Sequence, residues 1–153
     1  MLQLKFKITG LDEALAYIEH VERATTDLEP ALQEMGQYVL HGVNDNFRDE
    51  HSPDGIGWLA LKPATVAIRE GQGYPGAHPI LRRSGTLQDS IAITTTPRSV
   101  IVGTSVPYAG FQQTGYRNGS QRVPARTFLG LPPGGETALT SILMKRIREP
   151  FRR

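Results

Sequence analysis

The chain has 153 residues, enough for one domain with a real core, and its 39% hydrophobic and 21% charged content fits a globular protein. It contains no cysteine, which excludes disulfide staples and thiolate metal ligands, and its sixteen Gly and eleven Pro argue against a pure helical bundle. No run approaches a membrane span and the N-terminus lacks a signal-peptide core, so the expected location is the cytoplasm or a particle assembled there, with no membrane partner.

The net charge of +2 is small but unevenly placed. Lys145, Arg146, Arg148, Arg152 and Arg153 face only Glu149 in the last nine residues. Arg117, Arg122 and Arg126 follow one another with no acid between them, whereas Asp45, Asp49, Glu50 and Asp54 are opposed by Arg48 alone. Such separation suits either solvated surface or head-to-tail contact between identical subunits, where unlike patches meet.

From the N-terminus, Leu2, Leu4, Phe6 and Ile8 alternate with polar residues and predict a strand at 2–8. Thr9 and Asp12 have capping-box spacing before the helical stripe Leu11, Ala14, Leu15, Ile18 and Val21. A second, longer helix is predicted over about 28–47 from Leu28, Ala31, Leu32, Met35, Val39, Val43 and Phe47, with Pro30 tolerable only in its first turn. Ser52-Pro53-Asp54-Gly55 is a turn signal, and a short helix follows from Pro63 to about Glu70. Residues 71–79 read as a mobile loop.

The stretch from Ile80 to Gly115 is the expected organising centre. β-Branched runs at 90–96 and 99–104 flank Pro97-Arg98 and predict a hairpin, which is marginal in water unless a helix covers it. The 28–47 helix is the expected cover, burying Val39, Ile93 and Val102 together. Pro107 to Gln113 suggests one or two helical turns ended by Gly115, and 116–122 is polar, turn-rich and expected to be mobile. Val123, Phe128, Leu129 and Leu131 make 126–131 a candidate edge strand, and Leu139, Ile142, Leu143 and Ile147 mark a last helix before Pro150. The fold class is therefore α+β, a single domain over 1–153, with a small antiparallel sheet packed on the long helix and helices at both ends.

Two enzymatic constellations can be assembled, and neither carries a signature. His41, Asp45, Asp49, Glu50, His51 and Asp54 offer nitrogen and oxygen ligands at helical spacing, without an HExxH or EF-hand pattern. Ser84, Ser90, Asp89 and His78 lack a nucleophile elbow. Trp58 reads as a core plug whose indole N–H needs an acceptor. The basic C-terminus could track phosphates, although Phe151 is its one aromatic residue.

Four segments, in this order, carry a more specific signal. They are Phe47…Ser52-Pro53-Asp54-Gly55…Trp58…Leu61…Thr65; Ile80-Leu81…Ser84-Gly85…Leu87…Ser90-Ile91; Val102-Gly103…Tyr108-Ala109…Gly115; and Val123-Pro124-Ala125-Arg126-Thr127-Phe128-Leu129-Gly130-Leu131. Together they resemble the phage virion morphogenesis family, the tail-completion proteins of Mu-like contractile-tailed phages and prophages, over roughly residues 28–131. Gln112 stands where many relatives carry His, and Thr127 where Pro is common.

The resemblance implies a non-enzymatic part of the virion neck, without cofactor or metal, that is added to a finished tail to allow head joining. It also implies a ring, sixfold to match the tail, between the tail terminator or tail tube and head-connector proteins, with genomic DNA close by. On this reading Arg117, Arg122, Arg126, Arg152 and Arg153 reach Asp49 and Glu50 of a neighbour or meet other neck proteins, while Trp58, Tyr108 and Phe128 are anchors. The alternatives are a small nucleic-acid-binding module using the basic tail and a metal-dependent hydrolase using the 41–54 acids.

Overall fold

A computed structural model of the protein describes residues 15–19, 22, 27–119 and 121–148. The strand expected at 2–8 and the pair Arg152 and Arg153 lie outside them, and within the first expected helix residues 15–19 are helical.

The long helix α1 (Glu29–Asp49) is the one its apolar stripe implies. Pro30 falls in the first turn, where backbone donors have no intrahelical acceptor, and Glu29 and Arg48 complement the dipole at opposite ends. Its inner face buries Leu32, Gly36, Val43 and Phe47.

Strands β1 (Ala92–Thr96) and β2 (Ser99–Gly103) form the expected antiparallel hairpin about Pro97-Arg98, with Ile93 opposite Val102 and Thr95 opposite Val100. Thr96 Oγ1 closes the turn by accepting the N–H groups of Arg98 and Ser99, at 3.3 and 3.0 Å. Helix α1 lies against this hairpin. A Cβ at Gly36 would fall 2.7 Å from Ile93 Cγ2 and 2.9 Å from Val100 Cγ2, so glycine sets how closely helix and hairpin approach. Val39, Ile93 and Val102 are half-buried, and complete burial comes one turn further along α1, at Val43.

Three short helices follow the chain around this centre: α2 (Pro63–Gly71), α3 (Thr86–Asp89) and α4 (Ala109–Thr114), the last ended by Gly115 with φ +78°. The final helix α5 (Gly135–Arg148) packs on α1. The core gathers Val43, Phe47, Trp58, Ile80, Leu87, Ile91, Ala109 and Phe128. Phe47 meets Trp58 edge-on with ring centres 5.7 Å apart and meets Phe128 at 5.4 Å, both within the favourable range for aromatic pairs.

Residues 126–131 are not the edge strand their apolar pattern suggested. Side chains, not a strand ladder, hold the segment's backbone. Trp58 Nε1–H donates to Thr127 O at 2.9 Å, and Asn46 Nδ2–H donates to Phe128 O at 2.9 Å. Gln113 Oε1 accepts the N–H groups of Phe128 and Leu129, both at 3.1 Å, while Gln113 Nε2–H donates to Leu129 O at 2.7 Å. Buried backbone groups must find partners, and here amide and indole side chains supply them. A second hairpin stands instead just upstream, where a mobile loop was expected: β3 (Tyr116–Asn118) pairs antiparallel with β4 (Gln121–Val123).

The close seat of Gly36 sets a stability test. Gly36→Val is expected to cost about 1–3 kcal/mol by forcing α1 off the hairpin. Gly42→Ala, where a Cβ meets nothing within 4 Å, is expected to gain about 0.4–1 kcal/mol. Urea denaturation of both variants measures this, and a neutral Gly36→Val would mean that helix and hairpin do not approach as described.

Candidate functional site

The acidic end of α1 answers its own charges. Arg48 grips Asp49 with two bonds, Nε–H to Oδ1 at 2.8 Å and Nη2–H to Oδ2 at 2.7 Å, and reaches Asp45 Oδ1 from Nη1 at 2.6 Å. The Arg48 hydrogen bond holds the Asp49 carboxyl below its usual range, and the two carboxylates raise the pKa of Arg48. A hydrogen bond from the Ser52 hydroxyl likewise lowers Asp54. His41 stands 3.7 Å from Asp45 and His51 stands 3.9 Å from Asp49. Among the described residues no three of His, Asp and Glu come together in a way that could hold a metal ion. Asp49 is thus already paired within its own subunit, at an exposed site where an ion pair contributes little.

Glu50 turns inward instead of outward. It ends α1 in the left-handed region, with φ 56° and its N–H bonded to Asn46 O. Its carboxylate accepts the Ile80 N–H at 2.6 Å through Oε1 and pairs with His78 Nδ1 at 2.5 Å through Oε2. The side chain therefore ties the end of the long helix to the loop that delivers Ile80 to the core. Glu50 thus already has partners for both carboxylate oxygens within its own subunit.

Arg126 is likewise internal. It is 5% exposed, and its guanidinium donates to Leu59 O at 3.0 Å and Ala60 O at 3.4 Å. Burial lowers its pKa, and the charge of Arg69 lowers it further. Arg126 and Phe128 are two apart and both buried, with Thr127 between them less so. That spacing was available in the sequence. Arg69, which sequence reasoning did not single out, is 9% exposed and donates to Pro79 O at 3.0 Å and Ile80 O at 2.6 Å. Burial lowers its pKa first and Arg83 next, against an opposing effect of Glu50.

Of the expected anchors, Trp58 and Phe128 are in the core, whereas Tyr108 caps the start of α4 and is 43% exposed. Arg117 and Arg122 are exposed, and the strand register sets them directly opposite each other on the β3–β4 ribbon. Like charges in that position repel, and among the described residues neither has a carboxylate within 4 Å. At the foot of the ribbon Phe111 and Tyr116 pair with ring centres 4.9 Å apart while about half of each residue stays in solvent. Ile56, Leu59 and Leu131 add exposed apolar surface on the flank near Trp58.

Comparison with known proteins agrees with the segments singled out above. The sequence model of the phage virion morphogenesis family matches residues 7–148. The Mu-like prophage FluMu G protein 2 of Haemophilus influenzae is 27% identical over 136 residues, covering 87% of this chain and 88% of that protein. FluMu G protein 1 of the same organism is 29% identical over 112 residues, covering 72% and 74%. A putative capsid assembly protein G of Escherichia phage Mu is 29% identical over 124 residues, covering 77% and 78%. No solved structure matches the chain.

The internal role of Glu50 is open to direct measurement. Glu50→Ala strips the Ile80 N–H of its acceptor and is expected to destabilise the isolated subunit by about 1–3 kcal/mol in urea. An unchanged urea midpoint would return Glu50 to the surface.

Proposed function

Because the chain belongs to the phage virion morphogenesis family, we propose that it is a structural protein of the phage neck, completing the tail and making it competent for joining to the head. It works as a ring of identical subunits, sixfold to match the tail. The tail terminator or tail tube lies on one side and head-connector proteins lie on the other. Contact with genomic DNA is electrostatic and without sequence preference.

The observation that supports this reading best is the β3–β4 ribbon. A short, exposed two-stranded arm presents Arg117 and Arg122 side by side above the exposed pair Phe111 and Tyr116. Arginine and aromatic residues are the types enriched where proteins meet, and they supply most of the binding energy there. Two unneutralised arginines held in register suit an acidic surface on a neighbour better than they suit solvent. Glu50 and Asp49 already have partners within the subunit, so this reading does not rest on the 45–54 edge.

The name of the phage Mu relative favours a second placement, on the head side of assembly. Electron microscopy of lysates from a prophage lacking the gene separates the two. Tail completion predicts filled heads beside unjoined tails, whereas head assembly predicts finished tails without normal heads.

The ribbon itself is tested by Arg117→Glu combined with Arg122→Glu. The isolated double variant should keep its stability to within about 0.5 kcal/mol, since both sites are exposed. Its mass in solution with isolated tails should be that of the free subunit, and complemented lysates should lack joined particles. Normal rings and joined particles would show that the ribbon is not the joint.

A further inference from the structure

Behind the ribbon the surface is indented on both sides of the 122–126 segment. The more enclosed indentation is a cleft of about 760 Å³, within the range of roughly 300–1,000 Å³ typical of built binding pockets. Lys62, Arg69, Arg83, Arg122 and Arg126 line it, and no Asp or Glu does. The depression on the other side repeats the pattern, with Lys62, Arg117, Arg122 and Arg126 and again no acid.

Two of these cations are nine-tenths buried. Arg69 and Arg126 are 9% and 5% exposed, and they donate to the carbonyls of Pro79 and Ile80 and of Leu59 and Ala60. Carbonyls satisfy some of the five N–H donors on a guanidinium but bring no negative charge. Glu50 is the acid whose charge reaches Arg69, and its two oxygens are already bonded to Ile80 N–H and His78. Burial lowers the pKa of both guanidiniums, and repulsion adds to it, from Arg83 at Arg69 and from Arg69 at Arg126, the direction expected of buried cations without a paired counter-ion. An arriving anion relieves both effects. Arg83 at the rim is held in place by stacking over the Tyr74 ring, 4.8 Å from its centre.

The walls narrow the class of anion. Leu61, Ile68, Ile80, Leu81 and Val123 give the cleft an aliphatic lining. Nucleic-acid backbones are held by arginines and lysines on open surface, and single strands add stacking on aromatic rings. Here the deepest cations are buried, and Tyr108 is the one aromatic residue in the lining. We propose that this cleft receives an extended segment of a partner polypeptide carrying carboxylates among aliphatic side chains, with one carboxylate drawn to the floor at Arg69 and Arg126 and another to Arg83 at the rim. The cleft lies within one subunit and shares Arg122 and Val123 with the ribbon, so the inference does not rest on the ring.

The test uses the full chain and calorimetric titration at low ionic strength. The probes are an end-blocked peptide of alternating Glu and Leu, the same peptide with Gln for Glu, and a single-stranded oligonucleotide of similar length. The Glu peptide is expected to bind at least tenfold more tightly than either comparison probe. Lys62→Gln combined with Arg83→Gln should weaken it at least tenfold while leaving the thermal unfolding profile unchanged, since both residues are exposed. Arg83→Gln alone should weaken it by a smaller factor and serves if the double variant does not fold. The proposal is overturned if the Glu peptide does not bind, if the Gln peptide binds as well, if the variants bind as the parent does, or if the oligonucleotide binds more tightly. Lys62 and Arg83 lie off the ribbon, so loss of peptide binding in their variants with rings still formed is a result of the cleft alone.

Discussion

The structure depends on how backbone polar groups between Thr127 and Leu129 are satisfied away from any sheet. Three side chains from three parts of the chain converge there: Asn46 from α1, Trp58 from the loop after it and Gln113 from α4. Each unpaired buried amide or carbonyl would cost on the order of 1–3 kcal/mol, so these bonds decide whether the segment can enter the core at all. Once it does, Phe128 completes the aromatic cluster with Phe47 and Trp58. Arg126, two residues earlier, is buried as well. The chain ahead of it forms the β3–β4 ribbon.

This arrangement also sorts the charges. Glu50 and Arg126, which a sequence view assigns to the surface, become internal fasteners, one holding the Ile80 loop and the other the carbonyls at Leu59 and Ala60. Asp45 and Asp49 are held by Arg48 on their own helix. Arg117 and Arg122 have no carboxylate within 4 Å among the described residues and stand above a cleft that no acid lines. A structural protein of virion morphogenesis acts through its contacts, and the ribbon and cleft are where its fold gathers positive charge without a facing acid.

Much of the frame was legible in the sequence because it follows from periodicity. The stripe from Leu28 to Phe47 specified α1, and the β-branched runs around Pro97-Arg98 specified the β1–β2 hairpin. Trp58 was read as a plug needing an acceptor, and Thr127 O supplies it. The misses share a cause. At 126–131 the apolar pattern resembles a strand, but a ladder made of side-chain amides leaves no trace in residue spacing. The ribbon was hidden because its three-residue strands are too short for alternation and hold a single β-branched residue, Val123. Left-handed Glu50 could not be anticipated either, since its conformation is held by Ile80 and His78, which are distant in sequence.

Amide hydrogen exchange on the native subunit tests the central claim most directly. If Gln113, Asn46 and Trp58 hold 126–129 as described, the Phe128 and Leu129 amides exchange slowly, comparably to the amides in the middle of α1. Gln113→Ala should then release both while α1 stays protected. Fast exchange at Phe128 and Leu129 in the parent protein, with α1 still protected, would contradict it.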